Sequence, residues 1–193
     1  MTQGAAGGAQ TTVGRESGKL KLEHSIAFSL GSALGEAEAR AFVRDVPRSL
    51  RHADFLSSLS VLPGDPPVVA AELPVNAAMF GMRSLPFESE VRLTSTGARL
   101  TPRPLPHHGA GWAEVAGEAR VGGAGAGSRL DYSFAITVHL AMPNAERWGT
   151  QALMKMIELT AASVLRRVLE RFPAALELAA SEAARPVLSD AGA

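Results

Sequence analysis

His24 stands on the apolar side of an alternating segment, KLKLEHSIAFSL. An imidazole with a pKa near neutrality can there take and return a proton, or hold a ligand by a hydrogen bond. The same placement equally fits a structural histidine bonded to a neighbour. Tyr132 and Ser89 fall on the apolar sides of two further alternating runs. Each can aim a hydroxyl into a pocket, and each can instead satisfy a backbone group. His107 and His108 are adjacent in LPHHGAG. Paired imidazoles on a Gly/Pro loop can bind zinc or nickel, but such a site needs further ligands. No H-x-x-x-H spacing or carboxylate cluster stands near them in sequence, so they read as solvated loop histidines and no metal is expected. Trp148, beside Gly149 at the start of a helical segment, can guard a cavity mouth, with Met154 and Met156 as adaptable apolar contacts. Plain packing of the helix start explains the same residues.

No G-x-G-x-x-G, P-loop, G-x-S-x-G or H-E-x-x-H pattern is present. The glycine-rich GGAGAG does not lie between a strand and a helix, so it cannot serve as a phosphate loop. No cofactor is expected and no catalytic residue is assigned. The balance of 19 Lys plus Arg against 19 Asp plus Glu gives no net charge. That removes the whole-molecule field that draws nucleic acid or anionic membranes, and neither is expected as a partner. The absence of cysteine excludes disulfides, thiolate metal sites and cysteine nucleophiles. The opening MTQGAAGGAQTTVGRESG has neither the basic start nor the apolar run of a leader. No segment approaches the roughly 20 apolar residues of a membrane span. The chain therefore reads as soluble, with the cytoplasm as its default location.

The elements that must position these residues follow from periodicity. A length of 193 residues suits one domain, expected over 19–184, with flexible tails at 1–18 and 185–193. In KLKLEHSIAFSL, Leu20, Leu22, Ile26, Phe28 and Leu30 alternate with polar residues, the mark of a half-buried strand. GEAEARAFVRDVPRSLRHA then favours two short helices, because Pro47 cannot continue the first but suits the first turn of another. Ala39, Phe42, Val43, Val46 and Leu50 would face inward. Strands are expected at 55–62 and 68–75. Another is LPFESEVRL, with Leu85, Phe87, Val91 and Leu93 sharing a face with Ser89. ARLTPRPL follows a TSTG turn, and its prolines make its end an edge or a loop. WAEVAGEARV alternates next, then GGAGAG as a flexible connector. RLDYSFAITVHL places Leu130, Tyr132, Phe134, Ile136, Val138 and Leu140 on one face, with His139 outward. After a capping Asn144, the segment from Thr150 to Phe172 is an amphipathic helix with Leu153, Ile157, Ala161, Val164 and Val168 on its apolar stripe. Pro173 is expected to break or kink it before a short further helix. The apolar sheet face needs a cover, and the last helix is the only element long enough. The expected class is α+β: a curved antiparallel sheet of about six to seven strands wrapped around a long C-terminal helix, with two short helices after the first strand.

This element order resembles the helix-grip fold, the superfamily of START domains, Bet v 1-like proteins and polyketide cyclase-like proteins. The likeness rests on KLKLEHSIAFSL, the helix pair around Pro47, RLDYSFAITVHL and the helix from Thr150. RDVPRSL, AAELPV with its following FG, and VHLAMPNAERWGTQALMKM look like an uncharacterised bacterial family of that type. The resemblance implies a fold and a possible cavity, and transfers no catalytic residue. Its implied partner is a small apolar molecule or lipid held between sheet and helix. Cavity candidates are His24, Phe28, Phe87, Ser89, Val91, Tyr132, Phe134, Trp148, Leu153, Ile157 and Ala161. Alternation alone does not separate lining from filling; the small inward Ser89, Gly117 and Ala161 favour open space. Two other readings are a cyclase- or hydratase-like enzyme using the same cavity and a protein-interaction module with a filled core.

Overall fold

The structure, a computed structural model, describes residues 10–16, 19–77, 81–105, 111–124, 127–141 and 150–185. Eight strands form one antiparallel sheet among these residues: β1 (Gln10–Glu16), β2 (Lys19–Ser32), β3 (Ser57–Leu62), β4 (Val68–Ala77), β5 (Gly81–Leu93), β6 (Gly97–Arg103), β7 (Gly111–Ala124) and β8 (Gly127–Ala141). Their order across the sheet is β1-β2-β8-β7-β6-β5-β4-β3. Helices α1 (Glu36–Arg44) and α2 (Val46–Ser49) follow β2, and α3 (Thr150–Ala183) is the last element among the described residues. This is the curved sheet, helix pair and long last helix that the alternation implies.

The eighth strand is β1, and it corrects the expectation of a tail through residue 18 for Gln10–Glu16. Its β-branched Thr11, Thr12 and Val13 suit a strand, and the free edge of β2 supplies a ladder in register from Gln10↔Ser25 to Glu16↔Lys19. GGAGAG is likewise less of a connector than its composition suggests. The β7–β8 ladder is in register from Gly111↔Leu140 onward and continues to Ala124↔Gly127, so pairing carries these glycines into the hairpin.

α1 begins with Glu38 Oε2 accepting from the Gly35 N–H at 3.0 Å, a side chain returning to an orphan donor. α2 is capped by Asp45, whose carboxylate accepts from the Arg48 N–H at 3.1 Å, with Pro47 in its first turn. Ala39, Phe42, Val43 and Val46 are buried, as their spacing requires. The Arg44 guanidinium donates to the carbonyls of Thr94 and Gly97, which ties the β5–β6 turn to the end of α1. Gly97 is demanded by the close approach of β7: a Cβ there would lie 2.1 Å from the Ala119 carbonyl oxygen.

The curvature has a sequence cause at Pro102. β6 pairs with β5 as far as Arg103↔Glu88, but with β7 only to Leu100↔Gly117. Extending that register would set Val115 opposite Pro102, which has no N–H to donate. β6 therefore leaves β7, and β5 closes onto β7 directly. Leu93, expected inward, is exposed because β5 runs past the covered part of the face.

α3 is one helix of 34 residues, roughly 51 Å long. Pro173 neither ends it nor starts another, which corrects the expectation of a break and a separate short helix. An internal proline costs about 3 kcal/mol, and burial of Phe172, Ala175, Leu176, Ala179 and Ala180 on both sides of it offsets the loss. No described helix is long and apolar enough to cross a membrane.

Candidate functional site

The concave face of the sheet is built by direct cross-strand pairs. Leu22↔Val138, His24↔Ile136, Ile26↔Phe134, Phe28↔Tyr132 and Leu30↔Leu130 line β2 against β8. On the far side of β8, small residues oppose the large ones: Gly117 faces Phe134 and Ala119 faces Tyr132. A Cβ on Gly117 would stand 2.7 Å from Phe134 Cδ1, so the ring lies over the glycine. This alternation of bulk lets an aromatic row form. Phe28 and Tyr132 stack at 5.4 Å and 20°, and Tyr132 and Phe134 at 6.1 Å and 11°.

Phe172 of α3 comes down onto this row. Its ring centroid is 4.3 Å from Phe134, 5.2 Å from Phe55 and 6.3 Å from Phe28. Arg51 and His52 pin the same end of α3 through Glu182, with His52 Nε2 at 2.8 Å from its carboxylate. The face beneath this part of α3 is nearly filled. Among the described residues, two voids of about 30 Å³ each lie there, both bordered by Phe134. Leu50, Leu100 and Phe134 belong to the walls of both. The first lies beneath α1 and α2 and includes Tyr132, Ser49 and Leu176 in its wall. The second lies beneath Phe172 and is walled by apolar side chains such as Phe87, Val115 and Ile136.

Phe28, Phe87, Tyr132 and Phe134 are thus gathered at or beside these voids. Val91 is buried, but it lines a different space: an open groove of about 710 Å³ on the outside of the molecule, between Arg44–Pro47 and the β3–β4 connection. Ser89 is wholly buried, and its hydroxyl donates to the Val115 carbonyl at 2.7 Å. It satisfies the oxygen that the departure of β6 leaves without a ladder partner. Trp148, His107, His108 and Asn144 lie outside the described residues, as do the side chains of Leu153, Ile157, Ala161 and Val164.

His24 is buried, and desolvation pushes its pKa below the ordinary imidazole value. Burial holds the Tyr132 phenol well above its usual pKa. Tyr132 pairs with Phe28, four residues along β2 from His24, which separates the two groups by roughly 13 Å at strand rise. They do not meet at one reacting centre. The Tyr132 hydroxyl is buried with no hydrogen-bond partner among the described residues. His139 lies on the convex face, stacked on Trp112 at 4.6 Å and 11°, with Nε2 3.3 Å from Glu114 Oε1. No group of three metal-binding side chains occurs among the described residues.

Sequence reasoning did not single out Phe172, Leu100 or Leu50 as site residues. Phe172 carried a signal, as the last aromatic before Pro173 on an amphipathic helix. The voids that Leu50 and Leu100 share exist only once strands far apart in sequence meet.

The family model described as a protein of unknown function (DUF3809) matches residues 27–170. Among curated proteins none matches the sequence. Of solved structures, the Zhui aromatase/cyclase from Streptomyces sp. R1128 is 18% identical with a TM-score of 0.54, covering 89% of this chain and 99% of its own. The di-domain aromatase/cyclase BexL from the BE-7585A biosynthetic pathway is 13% identical with a TM-score of 0.52, covering 85% of this chain. Only 51% of that chain is covered, so this protein spans about half its length. Human StAR-related lipid transfer protein 5 is 13% identical with a TM-score of 0.44, covering 88% of this chain and 86% of its own. At such identities the likeness concerns the fold, and that fold is the helix grip.

Proposed function

The chain belongs to the DUF3809 family, and from that premise we propose that it binds a small hydrophobic molecule or lipid between its sheet and α3. The observation that carries the reading is the void beneath Phe172, walled by apolar side chains and bounded by a helix rather than by another sheet. Empty apolar space forfeits dispersion contacts that a hydrocarbon would restore. At about 30 Å³ each, the two voids have room for a water or two and no more. Binding there therefore requires Leu50 or Phe134, which the two walls share, to swing aside and join them. Solved proteins of the same fold are named aromatase/cyclases, which offers an analogy of fold and no residue roles. Binding stands ahead of catalysis, because the walls of both voids are mainly apolar and His24 belongs to neither.

A second reading has one observation in its favour. The open groove near Pro47 carries the exposed Val61 and Leu93, as a protein-association surface does.

Mass measurement under native and denaturing conditions separates the two. An apolar passenger released on denaturation from the purified protein, and missing from Leu100→Trp with the fold retained, is the expected result. Leu100 lies in the wall of both voids, so an indole there fills them. A passenger carried undiminished by Leu100→Trp refutes the site, and a self-associated protein without a passenger favours the groove.

A further inference from the structure

We propose that Tyr132 forms a polar subsite at the inner end of this cavity, which selects an uncharged ligand oxygen, hydroxyl or carbonyl, over a carboxylate. The inference rests on the cavity reading and adds the chemistry of its ligand. Tyr132 is only 5% exposed, and its hydroxyl has no partner among the described residues. A buried hydroxyl left unpaired is unfavourable unless something enters to meet it. The space beside it exists because Gly117, Ala98 and Ala119 present so little bulk to the void.

The only other side-chain hydroxyl in that wall is Ser49, which donates to the Val46 carbonyl at 3.1 Å. Its oxygen keeps lone pairs free to accept. An incoming hydroxyl can therefore accept from Tyr132 and donate to Ser49, while a carbonyl can accept from Tyr132 alone. Glu118 also borders the void, but Arg99 and Arg120 engage its carboxylate. Neither void has a Lys, Arg or His in its wall. A ligand carboxylate would be buried there without a counter-charge. The two voids share Leu50, Leu100 and Phe134, so a ligand whose oxygen meets Tyr132 can extend its hydrocarbon under Phe172.

Three fluorescent probes of one shape test this on the full chain: 2-naphthol, 2-methylnaphthalene and 2-naphthoate, titrated at neutral pH. Tyr132→Phe keeps the ring and deletes the hydroxyl. The expected result is 2-naphthol binding weakened about three- to tenfold in Tyr132→Phe, with 2-methylnaphthalene unchanged and 2-naphthoate binding neither protein. The melting temperature of Tyr132→Phe should equal or exceed that of the wild type, because an unpaired hydroxyl is removed. An unchanged preference between naphthol and methylnaphthalene overturns the subsite while leaving the cavity in place. Naphthoate binding as tightly as naphthol, or a clear fall in melting temperature, also overturns it. Failure of all three probes to bind the wild type defeats the cavity reading itself, and the subsite with it.

Discussion

Replacing Phe172 with alanine probes the contact between α3 and the sheet at its centre. The ring is 6% exposed and meets Phe134, Phe55 and Phe28 at 4.3, 5.2 and 6.3 Å. Loss of its burial is worth about 1.5–3 kcal/mol. The unfilled space, up to about 100 Å³, adds roughly 2 kcal/mol where the surroundings do not collapse. A destabilisation of about 4 kcal/mol is expected, within the range for buried Phe→Ala changes. For a chain of this size that lowers the melting temperature by about 8–16 °C. The same change joins the vacated space to the void beneath it, giving about 130 Å³, close to apolar cavities that hold benzene. Benzene should therefore raise the melting temperature of Phe172→Ala by more than that of the wild type, as scanning calorimetry with and without the ligand will show. A loss below about 1 kcal/mol contradicts the placement of Phe172 as the seat of α3. Equal benzene responses in the two proteins contradict the joined cavity.

Ser89→Ala leaves the buried Val115 carbonyl without its 2.7 Å partner and should cost about 1–3 kcal/mol in urea unfolding; a neutral result shows that another donor reaches that oxygen. His24 is held neutral by burial, so the unfolded chain binds more protons than the folded one between its depressed pKa and about 6.5. Its contribution is complete above about pH 6.5 and lost on acidification through that window. Wild type should thus lose more stability than His24→Gln between pH 7.5 and 5, and identical pH profiles refute this. Glu182→Gln weakens the contacts of Arg51 and His52 with α3. These groups are partly exposed, so at most about 1 kcal/mol should be lost. Faster amide exchange should appear in the last turns of α3 and leave β8 unchanged.

Much of this architecture was legible in the sequence because one sheet face is apolar. The alternation in KLKLEHSIAFSL and RLDYSFAITVHL marks two strands that prove to be direct neighbours, with Phe28 opposite Tyr132. Pro47 announces the second helix through its backbone restriction, and the structure sets it in the first turn of α2. The differences arise where long-range pairing overrides local composition. Gln10–Glu16 looks like a tail until the edge of β2 is there to pair with it. Pro173 looks like a stop until five buried neighbours hold the helix through it. The site was less legible. The inward placement of Ser89 was readable, but its role depends on a carbonyl 26 residues away that Pro102 leaves unpaired. Tyr132 was readable as inward, whereas its lack of a partner depends on what β7 and α2 bring near it.

The location of a bound apolar probe tests the central claim most directly. With methyl-labelled protein and 2-methylnaphthalene, intermolecular NOEs are expected from the Val69, Leu73, Val115 and Ile136 methyls, all in the wall of the void beneath Phe172. NOEs arising instead from Val61 and Leu93 would place the ligand in the outer groove and contradict a site between sheet and α3.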